Sequence, residues 1–219
     1  MKKSVSLFIL VLLAGLSSCG SGTEQKKSSE KAHTAEKART PQAEPGPEAS
    51  DPTAASPALS GPELITQLTS SAFDGNIKGV KDAIEAGADV NGIDEEGRTA
   101  LMFSSFNGFS EIVLLLLDEG ASIDRRDPMG RTSLLYAATG PFPETVRILL
   151  DKGAEPNVVD SDEHFSPLMH AAAEGNLDVV KILLKAGSDH TLKDVDGDNA
   201  ATFARQAGHI AVADHLDAL

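Results

Sequence analysis

Asp94-Glu95-Glu96-Gly97-Arg98-Thr99-Ala100-Leu101 and, one period later, Asp127-Pro128-Met129-Gly130-Arg131-Thr132-Ser133-Leu134 are two copies of one stretch. An aspartate opens each. A glycine three residues on supplies the permissive backbone of a tight turn. A threonine then stands where its hydroxyl caps the helix that follows. Asp94, Asp127, Asp160 and Asp194 recur at spacings of 33, 33 and 34, and so do Gly87, Gly120, Gly153 and Gly187. Two markers with one period, and with the same single-residue insertion in the same copy, establish an internal repeat.

Each copy reads as a turn, a short helix, a loop and a second helix. The first helix is exemplified by residues 134–139. The second carries the apolar runs 112–117, 146–150 and 179–184, each ended by a glycine in the C′ role. Leu115 and Leu149 are assigned to the core on these second helices. Helices this short are marginal alone, so they need neighbours on both sides, as in a solenoid. Hydrophobic residues make up 41% of the chain, enough for a core, while 4% aromatics and no Trp leave the packing to small and aliphatic side chains.

The pattern resembles the ankyrin repeat family, whose turn–helix–loop–helix unit has a period of about 33 and a Thr-Pro-Leu-His-x-Ala core. The resemblance is carried by Ser166-Pro167-Leu168, Ala137-Ala138, Ala171-Ala172, Gly175-Asn176, Gly208-His209 and Gly87-Ala88-Asp89-Val90-Asn91, and covers about residues 64–219. It implies an all-α ankyrin solenoid with short β-turn fingers. Its five repeats fall at 62–93, 94–126, 127–159, 160–193 and 194–219, and the first and last match least well, as end caps do. The family's core His is replaced by Met102, Leu135 and Met169, so the hydrogen bonds of that His are expected to be missing. Pro141 and Pro143 enter the loop of the third unit, and the extra residue near Glu163-His164-Phe165 predicts a bulged fourth finger.

Ahead of the repeats the chain changes character twice. Lys2 and Lys3 precede an apolar run from Val5 to Leu16, broken only by Ser6. The run is shorter than the roughly 20 residues a bilayer span needs, but it suits a secretory signal. It ends at Leu16-Ser17-Ser18-Cys19, which resembles the lipobox of bacterial lipoproteins. That resemblance implies a signal peptide over 1–18 and cleavage before a lipidated Cys19, with acylation of the new terminus. More than one acyl chain makes a firm anchor. In lipoproteins of this kind an Asp after the cysteine favours the inner membrane; here Gly20 follows, so the resemblance implies the periplasmic side of the outer membrane in preference to the inner membrane. Cys19 is the only cysteine, so no internal disulfide exists. Residues 19–61 are read as the lipidated residue and a disordered linker rich in Ser, Lys, Glu, Ala and Pro, too poor in apolar groups to offset chain entropy. Such a linker spans roughly 35 Å on average.

Residues 62–219 hold 12 Lys/Arg against 27 Asp/Glu. A field this negative repels nucleic acid phosphates, and two readings stand for it: attraction of basic protein surfaces, or no more than keeping the repeat surface soluble. The chain contains no nucleophile elbow, P-loop or dinucleotide fingerprint. The six histidines lack the spacing of a zinc helix, and Asp194-Val195-Asp196-Gly197-Asp198-Asn199 has its glycine in the wrong place for a calcium loop. No catalytic residue, metal, cofactor or small-molecule substrate is therefore assigned.

The family resemblance places binding on the concave side of the stack, at the finger tips and the exposed side of each first helix. By register those positions are Phe73 and Asp74 in the first unit and Ile93, Glu95, Glu96, Arg98, Phe106 and Asn107 in the second. They continue as Arg126, Met129, Arg131 and Thr139, then Asp162, His164 and Glu174, then Lys193, Asp196, Asp198 and Gln206. Two readings stand for Phe73, Phe106 and Met129: partner anchors, or side chains leaning onto the next repeat. Arg98 and Arg131 are either a positive ladder or members of local salt bridges. The functional expectation is a non-enzymatic module that binds or inhibits another exported protein, a basic one if the charge selects it. The alternatives are an envelope scaffold, a helper of an exported enzyme such as a catalase, and an immunity protein against a toxin.

Overall fold

The computed structural model describes residues 59–219. The expected signal peptide, Cys19 and the expected linker up to residue 58 lie outside the described residues. Ten helices are described: α1 Gly61–Phe73, α2 Ile77–Glu85, α3 Ala100–Phe106, α4 Ser110–Asp118, α5 Ser133–Ala138, α6 Pro143–Asp151, α7 Pro167–Ala173, α8 Leu177–Lys185, α9 Ala200–Ala207 and α10 Ile210–Asp217. Each odd-numbered helix packs on the next odd-numbered one and on the even-numbered helix that follows it, and the even-numbered helices pack in sequence. The result is the expected all-α solenoid of two helical layers. Among the described residues the fingers show a single isolated antiparallel bridge, Ile93 with Thr99.

The core is a pair of aliphatic columns. Leu68, Leu101, Leu134 and Leu168 share one register on the first helices, and Leu116, Leu149 and Leu183 share another on the second; all are buried. Leu115, assigned to the core from the apolar run 112–117, is only half-buried, and Leu116 takes the interior position. Four consecutive leucines, Leu114 to Leu117, carry no helical period of their own. The repeat register decides which one points in, since Leu116 lies 33 residues before Leu149.

The helix starts follow the sequence. Thr99, Thr132, Ser166 and Asn199 accept the backbone N–H of Met102, Leu135, Met169 and Thr202. The expected loss of the core-His network is partly corrected here. The sulfurs of Met102 and Met169 accept the backbone N–H of Thr99 and Ser166 at 3.5 and 3.4 Å, closing a reciprocal cap in which a thioether replaces the usual Glu or Gln. Leu135 has no atom to do this. Helix α1 begins with Ser60, whose N–H and hydroxyl both donate to Glu63, so the helical region starts slightly before residue 62.

Four of the second helices, α2, α4, α6 and α8, end in Schellman turns. Gly87, Gly120, Gly153 and Gly187 all have φ near +90°, and the residue after each donates back to the core position of the helix, as Ala121 does to Leu116 at 2.9 Å. Side chains then staple neighbouring repeats. Asn91 donates to the Gly120 carbonyl and accepts from Ser122, and Asn157 does the same with Gly187 and Asp189 one pair of repeats later.

The last repeat departs from the pattern where a sixth would stack. Ser105, Ala138 and Ala172 are fully buried at one register of the first helices, but the fifth unit has exposed Arg205 there. Leu117, Leu150 and Leu184 give way to Asp217 on α10, and Arg205 and Asp217 pair. An ion pair thus covers the terminal face, a capping device of solenoids.

Candidate protein-binding face

Each finger is a loop closed on its aspartate. Asp94 N–H donates to the Arg98 carbonyl, Asp127 to Arg131 and Asp194 to Asp198. The aspartate side chain turns inward and accepts backbone N–H groups of the same loop: Glu96 and Arg98 on Asp94, Met129 and Arg131 on Asp127, Asp196 and Asp198 on Asp194. The Asp194 carboxylate that suggested a calcium loop is thus used by its own turn. In the fourth finger the closing bond runs from Asp160 to Phe165, one residue further, and His164 holds the loop at φ +60° where the other units have Gly97, Gly130 and Gly197. The predicted bulge is present.

Arg98 and Arg131 are held within the molecule. Arg98 pairs with Asp94 at 2.8 Å and Glu96 at 2.9 Å while lying over the Phe103 ring, and Arg131 pairs with Asp127 at 2.7 Å over the Tyr136 ring. The salt-bridge reading holds, and the positive ladder does not. Tyr136 also donates its hydroxyl to Asp127 at 2.7 Å, and burial foremost pushes that hydroxyl's pKa well above its ordinary value. Arg126 donates to the carbonyls of Gly130 and Val159, linking the third finger to the residue that precedes the fourth.

Phe73 meets Phe103 edge to face at 5.7 Å, and Phe106 meets Tyr136 at 6.2 Å. Both are half-buried and lean onto the next repeat, so the packing reading is correct for them. Asn107, expected at the partner surface, donates to the Phe73 carbonyl at 2.9 Å. Glu174 is half-buried, and burial raises its pKa against the pull of His209. Thr139 donates to the carbonyl of Tyr136.

What remains accessible on the finger side is different in kind. Met129 is 37% exposed and Ile93 44%. Glu95, Asp162, Asp196, His164 and Lys193 are exposed, and Asp198 accepts only from Gln206 outside its own turn. Val195, which the sequence reading missed, is 52% exposed on the fifth finger. Its register companions Glu95, Pro128 and Ser161 have shorter or polar side chains, so an isolated valine between two aspartates was the available signal. Among the described residues no group of three His, Cys, Asp or Glu side chains could hold a metal ion, and no helix is long and apolar enough to cross a membrane.

The family description "Ankyrin repeats (3 copies)" matches residues 68–160 and 142–217, together more than half of the 219-residue chain. The chain belongs to the ankyrin repeat family. Ankyrin repeats are protein–protein interaction modules, and the finger side of this ankyrin stack carries exposed Ile93, Met129 and Val195 beside exposed Glu95, Asp162 and Asp196. Comparison with curated proteins finds no match.

Proposed function

We propose that this chain is a lipid-tethered, non-enzymatic binding module that holds or inhibits a basic exported protein on its finger-side face. One observation carries the binding reading. Met129 keeps its side chain exposed at a finger tip while the neighbouring arginines are consumed by internal ion pairs. Ile93 and Val195 are exposed on other fingers, and apolar groups recurring along one face support a contact surface there.

The tether rests on sequence. The basic start, the short apolar run and Leu16-Ser17-Ser18-Cys19 support lipidation of Cys19 and export to the bacterial envelope, with the periplasmic side of the outer membrane favoured by Gly20. Labelled fatty acid should enter the wild-type chain and be absent from Cys19→Ser. Label retained in the variant contradicts the anchor. For the binding half, Met129→Ser should weaken partner capture by about 1–3 kcal/mol without loss of helicity. Unchanged capture contradicts it.

A further inference from the structure

The four fingers, those of the second to fifth repeats, are not electrically alike. The second and third neutralise their aspartates with Arg98 and Arg131. At that register the fourth unit has Phe165 and the fifth has Asp198, so the compensating guanidinium becomes an aromatic ring and then a carboxylate. The fourth and fifth fingers together carry Asp160, Asp162, Glu163, Asp194, Asp196 and Asp198, against Lys193 as their only Lys or Arg. Asp160 and Asp194 are turned onto loop amides. Asp162 and Asp196 are exposed, and their carboxylates have no partner among the described residues.

The tips of the third, fourth and fifth fingers are tied to one another. Ser161 N–H donates to the Met129 carbonyl at 2.9 Å, and Val195 N–H donates to the Glu163 carbonyl at 3.1 Å. The matching donor between the second and third fingers does not exist, because the residue there is Pro128, whose ring sits against Gly97 instead. Met129 and Val195 thus flank the fourth tip within one hydrogen-bonded row, and free carboxylates border them.

We infer that this row, from the third to the fifth finger, is the docking surface for a cationic segment of the partner protein. Met129 and Val195 receive an apolar side chain of that segment, while Asp162, Asp196 and Asp198 face its lysines or arginines. The inference rests on the finger-face reading proposed above and names both the end of the stack that is used and the chemistry that fits it. Charge complementarity chooses the occupant. An acidic or phosphate-bearing partner would meet only repulsion there, and an uncharged apolar one would leave the carboxylates desolvated without partners.

The test uses three short dye-labelled peptides: alternating lysine and leucine, lysine and serine, and glutamate and leucine. Binding is read by fluorescence anisotropy. The wild-type chain should bind the lysine–leucine peptide best. The triple variant Asp162→Asn/Asp196→Asn/Asp198→Asn should lower that affinity about tenfold. Glu111→Gln/Asp178→Asn/Asp214→Asn, an equal charge change at exposed positions on the second helices, should leave it within about twofold. Met129→Ser/Val195→Ser should abolish the preference for lysine–leucine over lysine–serine. Equal weakening by the two charge variants would overturn the proposal, as would binding of the glutamate–leucine peptide by wild type. If native partner capture depends on Met129 but survives the finger charge variant, the finger face stands and the cationic occupant falls.

Discussion

Tyr136 donates its hydroxyl to Asp127 at 2.7 Å, locking the first helix of the third repeat to the finger that precedes it. Arg131 grips the same carboxylate oxygen, so one aspartate serves a phenol, a guanidinium and two backbone amides. The Asp127 side chain is 1% exposed, against 16% for Asp94, and the residue equivalent to Tyr136 in the second repeat is Phe103, which has no hydroxyl. Asp127→Ala should therefore cost about 3 kcal/mol of stability, and Tyr136→Phe about 1 kcal/mol. Asp94→Ala should cost less than Asp127→Ala. Urea unfolding of the three variants checks the order, and equal losses at Asp94 and Asp127 would contradict it.

The four-leucine run gives a sharper contrast. Leu116→Ala should destabilise by about 2–5 kcal/mol, because its side chain is fully buried between the helical layers. Leu115→Ala should cost well under half of that, since Leu115 is only half-buried. Thermal melts followed by circular dichroism measure both.

These residues also mark how far the sequence was legible. Period, helix order, caps and bulge were written in residues whose backbone role is local: the turn glycines, the capping hydroxyls and the inserted residue before Phe165. Leu115 was misplaced because an unbroken apolar run has no phase until it is aligned to its neighbours. Phe73, Phe106, Arg98 and Arg131 were ambiguous for a related reason. A side chain at a finger or helix end can turn outward or fold onto the next repeat. The ring at position 103 or 136 lies about thirty residues in sequence from Phe73 or Phe106; for Arg98 and Arg131 the ring and the aspartate are both close in sequence, and only the closed finger turns the guanidinium onto them. Val195 was missed because no apolar pattern surrounds it.

His170 occupies the register of Phe103, Tyr136 and Phe203 and packs edge to face on Phe165 at 5.5 Å. Burial, against a smaller opposing pull from Asp160, lowers its pKa from 6.5 to about 4. Between those values the unfolded chain binds a proton that the folded chain refuses, so stability falls as pH drops from about 6.5 to about 4. His170→Phe should flatten the pH dependence of the melting temperature across that window relative to wild type. Identical pH profiles would show that the imidazole is not desolvated.

The Arg205–Asp217 pair closes the last repeat where its predecessors have small or aliphatic residues. Arg205→Ala/Asp217→Leu should restore an apolar stacking face and drive concentration-dependent association, read as a rise in mass by light scattering. A monodisperse monomer at high concentration would contradict the capping role.

Binding on the finger side is the central claim, and it can be tested without knowing the partner. A photoreactive side chain is placed at Met129 and, in a second chain, at Leu114, which is 40% exposed on the second-helix layer. Both are irradiated in cells that express the protein natively. A discrete crosslinked adduct at Met129, absent at Leu114 and reduced when Asp162, Asp196 and Asp198 become Asn, is the predicted result. The same adduct from both positions, or an adduct from Leu114 alone, would contradict the account.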